Sequence, residues 1–152
     1  MRAPMRWAHE ARDCVLPMII GLGTDLCDIA RVTETLKRFP GRFEARLFTD
    51  QEQARAERRK NVRAARYAQM FAAKEACSKA LGTGFRKGVF WRDMEVVHLP
   101  SGKPTMELYG GALRRMQDLT PSGMQAQVEV SLTDESGLAN AVVMIFAVSA
   151  SA

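Results

Sequence analysis

The sequence is poor in the residues that would commit it to several common chemistries. Its 152 residues include three cysteines (Cys14, Cys27 and Cys77) and no CxxC pair. So sparse and odd a set argues against a disulfide framework and against a structural zinc site, and it fits a reduced, intracellular compartment. The two histidines, His9 and His98, stand apart from any metal-ligand cluster, and surface or packing roles suit both. No apolar run approaches the ~18 residues of a membrane helix. There is no G-x-S-x-G elbow, and Gly21-Leu22-Gly23 does not continue into a dinucleotide-binding fingerprint. Aromatic residues make up 7% of the chain and hardly interleave with the basic ones, which disfavours a stacking surface for single-stranded nucleic acid. No helix-turn-helix, zinc or RNP pattern supports base reading.

What remains is the composition of one ordinary globular domain. The chain is 47% hydrophobic and 26% charged, too balanced for a disordered protein. Its net charge of +5 favours an anionic partner such as a phosphorylated small molecule, an acidic protein or nucleic acid.

The segment 1–17 starts with a basic residue but lacks the apolar stretch of a secretory signal. Character changes at Met18, where MIIGLGTDL reads as a buried strand. The folded domain is therefore expected to span 18–152, with 1–17 as an extension outside it. Ile29, Val32, Leu36 and Phe39 have helical spacing, and Pro40-Gly41 ends that helix. Thr49 with Glu52 forms a capping box that starts a second helix. An Ala-rich helix is expected from about Val62 to Leu81, stopped by Gly82. Strands follow at Met94–Leu99 and Thr105–Leu108, turned by Pro100 to Pro104, and a short helix covers Gly111–Leu119. Two closing strands, Gln125–Leu132 and Leu138–Val148, flank a turn over Thr133–Gly137. Helices and strands come in blocks, which predicts an α+β fold: a mostly antiparallel sheet with the Ala-rich helix packed on it.

Asp25 stands at the C-terminal end of a very apolar strand, where an unpartnered carboxylate is costly. It either caps the next helix or serves a site, and Asp28 is better placed to cap. Glu75 interrupts a helix face of Ala68, Phe71 and Ala72, with Lys79 one turn beyond. One reading is a surface Glu–Lys pair, worth only ~0.3–0.5 kcal/mol. The other pairs Glu75 with Asp25 around a divalent cation, since Mg²⁺ takes a carboxylate or two and fills its remaining positions with water and phosphate oxygens. Lys79 would then bind phosphate as a point charge. Arg31, Lys37, Arg38, Arg42 and Arg46 cluster around the first helix and the turn after it, suiting an acidic protein partner.

These residues together resemble a known family. Ile20-Gly21-Leu22-Gly23-Thr24-Asp25 followed by Ile29-Ala30-Arg31, then Phe71-Ala72-Ala73-Lys74-Glu75-Ala76 with Lys79-Ala80-Leu81-Gly82, carry most of the likeness. Ser101-Gly102-Lys103-Pro104 and Ser131-Leu132-Thr133-Asp134-Glu135 complete it. From Met18 to about Ala147 the chain resembles the bacterial holo-[acyl-carrier-protein] synthases, the short, trimeric group of 4'-phosphopantetheinyl transferases. The resemblance implies a cytoplasmic enzyme of fatty acid biosynthesis that moves the 4'-phosphopantetheine arm of coenzyme A onto a serine of apo acyl carrier protein, releasing adenosine 3',5'-bisphosphate. It implies Asp25 and Glu75 as Mg²⁺ ligands, Glu75 and Lys79 as catalytic residues, and a choice of general base between Glu75 and water on the metal. It further implies coenzyme A contacts from Ser78, Lys79, Gly82, Arg63, Gly102, Lys103 and Pro104. Arg31, Arg38 and Arg42 would meet the carrier protein. A homotrimer with sites at subunit interfaces is expected, and neither nucleic acid nor membrane is an expected partner. Two positions depart from the family pattern: Met70 stands where relatives often have a basic residue, and Asp134 where some have histidine. The alternative is a non-catalytic basic module that binds nucleic acid or an acidic protein.

Overall fold

A computed structural model describes residues 17–150, so the expected extension over 1–17 concerns residues that lie almost wholly outside it, Cys14 and His9 among them. Strands β1 (Met18–Asp28), β4 (Met124–Glu135) and β5 (Leu138–Ser149) form an antiparallel sheet in the order β1-β5-β4. The pleat sends alternate residues to one face. On that face β5 contributes Ala139, Ala141, Val143, Ile145 and Ala147, all fully buried. Val128, Val130 and Leu132 of β4 lie beside them in register. Each buried Val or Ile stabilises the fold by roughly 1.5–3 kcal/mol.

The expected five-residue turn contracts to Ser136-Gly137, both with positive φ (50° and 82°). That backbone matches the twist of a tight hairpin, so both strands extend further than hydropathy suggests. Strand β1 likewise continues through Asp28. Asp25 is therefore not at a strand end but inside the strand, paired with Ala141.

Helix α4 (Arg63–Ala80) lies on the inner face of this sheet, with Ala68, Ala72, Ala73, Ala76 and Ala80 buried. Its approach to β1 is unusually close. A Cβ at Gly23 would stand 1.9 Å from the Ala76 carbonyl oxygen, and one at Gly21 2.3 Å from that of Ala80. The two glycines of the Gly-Leu-Gly-Thr-Asp run thus act in helix–sheet packing.

Helix α1 (Ile29–Arg38) is capped by Asp28, whose Oδ1 accepts from Ala30 N (2.8 Å) and Arg31 N (3.3 Å). A short helix α2 (Arg42–Leu47), absent from the expectation, follows Gly41. At six residues it lacks the length over which periodicity shows itself. Helix α3 (Asp50–Glu57) carries the expected capping box from Thr49 and Glu52. Strands β2 (Met94–His98) and β3 (Pro104–Leu108) form a separate antiparallel hairpin, so there are two sheets, and α5 (Gly110–Leu119) follows.

One buried network ties these layers together. Lys74 and Glu52 are both fully buried and 2.7 Å apart. Glu52 also accepts from Thr49 N (2.8 Å) and Val96 N (2.9 Å), while Lys74 Nζ donates to Leu47 O (2.8 Å) and Trp91 O (3.0 Å). Such a pair repays its desolvation only because these further bonds are made. The opposite face of the three-stranded sheet is different: Ile19, Leu22, Leu26 and Val142 are exposed there.

Candidate active site

The close seating of α4 on β1 brings Asp25, Glu75 and Lys79 together. Lys79 Nζ lies 2.8 Å from Asp25 Oδ1 and donates to Thr24 O at 2.9 Å. Asn140 Nδ2 donates to Asp25 O at 3.0 Å, which fixes the strand backbone at this point. Lys79 therefore pairs across to the sheet, and the i, i+4 surface pair with Glu75 is not formed. Burial, reinforced by the charge of Asp25, pushes the Glu75 carboxyl above the usual carboxylate range; Lys79 and Arg31 act the other way. Cys27, on the same face of β1, has its thiol raised to about 11, by burial first and then by Asp25. Two mutually repelling carboxylates with two cations beside them make up the site.

The donor chemistry fits a hard divalent cation. Asp25 and Glu75 offer oxygen ligands only, and their repulsion is what a cation between them would relieve. Among the described residues no cluster of three or more His, Cys, Asp or Glu could hold a metal. The pair thus suits an ion whose other ligands come from water and substrate phosphate, as Mg²⁺ does, rather than a closed zinc centre.

The remaining expected residues divide. Gly82 is exposed at the end of α4, with φ of 72°. Ser78 is buried, and its Oγ donates to Glu75 O at 2.8 Å, so the fold gives it a place inside the helix rather than a ligand contact. Arg63 begins α4, about 18 Å from Glu75 along the axis. It is held by Glu44 and Glu57 at 2.6 Å each, which commits it to structure. Gly102 and Lys103 lie in the β2–β3 turn and Pro104 opens β3; Lys103 pairs with Glu129 of β4 at 2.6 Å. Strand β4 is two strand spacings, about 10 Å, from β1, so one protomer does not bring this turn to Asp25.

Arg31, Arg38 and Arg42 are exposed along α1 and the start of α2. Arg38 stacks over Phe39, while Glu34 pairs with Lys37. Beyond them a groove of about 390 Å³ is lined by Thr35, Phe39, Arg42, Phe43, Arg46 and Leu47. Its floor joins an aromatic run in which Phe43, Phe71, Trp91 and Phe85 stack in turn. Asn140 was not anticipated as a positioning residue, although a lone amide within the apolar run of β5 was a visible signal.

Fold and site together define a small α+β domain with two neighbouring carboxylates and a lysine between its long helix and its sheet. Residues 21–133 match the family model described as the 4'-phosphopantetheinyl transferase superfamily. A protein of Methylobacterium nodulans named holo-[acyl-carrier-protein] synthase is 59% identical over 128 residues, covering 84% of this chain and 96% of that one. The crystal structure of holo-[acyl-carrier-protein] synthase from Neisseria meningitidis superposes with a TM-score of 0.71 at 34% identity, covering 84% of this chain and 98% of the other. The Helicobacter pylori enzyme in complex with coenzyme A gives 0.68 at 29% identity, covering 82% and 98%. The chain belongs to the 4'-phosphopantetheinyl transferase superfamily.

Proposed function

We propose that this chain is a holo-[acyl-carrier-protein] synthase: it transfers the 4'-phosphopantetheine arm of coenzyme A to a serine of apo acyl carrier protein. The observation that carries the reading is the Asp25–Glu75 pair with Lys79 Nζ 2.8 Å from Asp25. The serine oxygen attacks the phosphorus of the phosphopantetheine, the bond to adenosine 3',5'-bisphosphate breaks, and the serine proton must be accepted. A carboxylate oxygen of Glu75, or a water held beside the cation, would accept it. Asp25 and Glu75 would hold Mg²⁺, which when bound neutralises charge on the coenzyme A diphosphate. Lys79, half exposed on a flexible stem, exchanges Asp25 for a phosphate oxygen and stabilises the departing group.

Arg31, Arg38 and Arg42 would meet the acidic surface of the carrier, with the neighbouring groove accepting an apolar side chain. Gly82 would approach coenzyme A from the same protomer. Gly102, Lys103 and Pro104 reach a site only if a neighbouring subunit supplies them, which agrees with a homotrimer that closes over the exposed apolar sheet face of Ile19, Leu22, Leu26 and Val142. Residues 18–152 would form a single phosphopantetheinyl transferase domain. No described helix is long and apolar enough to cross a membrane, and the buried free thiols of Cys27 and Cys77 suit a reduced cytoplasmic setting.

Incubation with coenzyme A, Mg²⁺ and apo acyl carrier protein should add the mass of the arm to the carrier and none without the metal. A panel of carriers that all stay unmodified would favour the non-catalytic basic module instead.

A further inference from the structure

The groove beside Arg42 is built on a helix that could not stand alone. Helix α2 has six residues, well short of the length at which helices become stable in water, and it opens at Gly41 (φ 73°) with no side-chain cap. Arg42 and Arg46 are exposed, Phe43 is half-buried in the groove wall, and Glu44 and Leu47 are buried. Lys74 and Arg92 hold the carbonyls of Leu47 (2.8 Å) and Ala45 (3.0 Å) near the C-terminal end. Glu44 is the buried group of the first turn, and the rotation of that turn decides where Arg42, Phe43 and Arg46 face.

Glu44 meets a cation rather than an apolar neighbour. Arg63 Nη2 donates to Glu44 Oε1 and Arg63 Nε to Glu57 Oε1, each at 2.6 Å, so one guanidinium spans α2 and the end of α3. It lies over the Tyr67 ring, 5.3 Å from the centre, and Tyr67 Oη donates to the same Glu57 oxygen at 3.0 Å. Burial, then Glu57, push the Tyr67 hydroxyl far above its ordinary range, so it stays a donor. The Tyr67 ring packs on Phe48 at 4.9 Å, and Phe48 meets Phe43 edge-on at 5.6 Å. The network thus reaches the groove twice, by charge at Glu44 and by ring packing at Phe43. Glu44 Oε2 is buried without a hydrogen-bond partner among the described residues, so the carboxylate relies on Arg63 alone. An apolar side chain would fill this place without the cost of desolvating two charges. What the ion pair adds is direction, because a guanidinium fork accepts an oxygen along fixed lines.

We infer that Arg63 and Glu44 are positioning residues for the carrier protein: their buried bond sets the rotation of α2, and with it the groove and the arginines offered to the carrier. The identity of the partner rests on the proposed function; the anchoring of α2 does not.

Two measurements on the full chain test it: amide hydrogen exchange followed by mass spectrometry, and steady-state transfer kinetics. Glu44→Leu fills the same space without charge and leaves Arg63 its bond to Glu57, so global stability should change little. Arg63→Ala is the harsher variant, since it strands the Glu44 carboxylate. In Glu44→Leu, exchange over 42–48 should quicken about tenfold or more, the scale of one charged hydrogen bond, while exchange in α4 beyond Tyr67 holds. The Michaelis constant for apo acyl carrier protein should rise by a similar factor, with that for coenzyme A and the turnover at saturating carrier unchanged. Glu44→Gln keeps an acceptor for Arg63 and should recover most of both effects. Unaltered exchange over 42–48 in Glu44→Leu overturns the inference, and so does quickened exchange with an unaltered Michaelis constant for the carrier. A fall in turnover with both Michaelis constants unchanged marks a merely structural role and overturns it too. If the unsubstituted chain modifies no carrier while Glu44→Leu still loosens 42–48, the proposed function fails and the anchor of α2 stands.

Discussion

Gly23→Ala is a severe test of how this fold makes its site. The added methyl would stand 1.9 Å from the Ala76 carbonyl oxygen and 2.8 Å from Ala80 N, both backbone atoms that no rotamer can move. Helix α4 must therefore retreat from β1 by about an ångström or more to restore an ordinary contact distance. Two costs follow. Overpacking of a tight core usually costs ~1–3 kcal/mol, which lowers the midpoint of urea unfolding. The retreat also carries Glu75 and Lys79 away from Asp25, and a misplacement of ~1 Å in a catalytic constellation costs on the order of 100-fold in rate. Mass-spectrometric transfer assays, run well below the melting temperature of the variant, separate the second cost from the first. Gly102→Ala is the control. A Cβ there meets nothing within 4 Å, and only the positive φ of 87° is strained, so stability should fall by ~1 kcal/mol. A Gly23→Ala protein with unchanged unfolding midpoint and unchanged rate would refute the claim that close helix–strand seating builds the centre.

Asp25→Ala and Glu75→Ala should each lower the transfer rate at least ~100-fold while the metal-free fold stays intact, as judged by kinetics beside thermal unfolding. Glu75→Gln carries a pH signature: the folded carboxyl titrates above its unfolded value, so its ionisation penalises the native state at neutral pH and not below the ordinary carboxyl range. The glutamine variant should be the more stable at neutral pH without metal, with the gain vanishing as pH falls through that range; a pH-independent difference would contradict the assignment. Lys74→Ala leaves Glu52 buried without its cation and should cost ~3–5 kcal/mol in chemical denaturation, against little for Lys37→Ala, whose pair is exposed. Arg38→Glu should raise the Michaelis constant for the carrier and flatten its salt dependence while coenzyme A binding holds, since steering fields are screened within ~8 Å at physiological salt.

The elements with long periodic patterns were legible in the sequence, and so was the closeness of Asp25 to Glu75, whose charges act on one another. The Asp28 cap, the Thr49–Glu52 capping box and the stop of α4 were readable because each rests on local chemistry. What could not be read depends on distance through space. Helix α2 is too short to display a period. Arg63 looked like a phosphate ligand because nothing in its neighbourhood along the chain reveals Glu44 across the fold. Ser78 lies next in motif to Lys79 yet points inward, since a helix turns about 100° per residue.

The same rotation explains why Lys74 and Glu75, adjacent in the Phe-Ala-Ala-Lys-Glu run, have unrelated tasks. Lys74 points into the core and binds Glu52, the carbonyls of Leu47 and Trp91 and, through Glu52, the backbone of β2. Glu75 stands near enough to Asp25 on the neighbouring strand for the two charges to repel. The buried lysine fixes the height and rotation of α4 against α3 and β2, while the glycines of β1 set how near that helix comes to the sheet. With the helix fixed from both sides, two carboxylates that repel one another are held together by packing rather than by mutual attraction. Held so, the two acids would keep the affinity for a cation that the proposed transfer calls for. A strongly charged motif of this kind should therefore be read pairwise: the residue that turns inward positions the residue that turns outward, and losing either one disables the same chemistry by a different route.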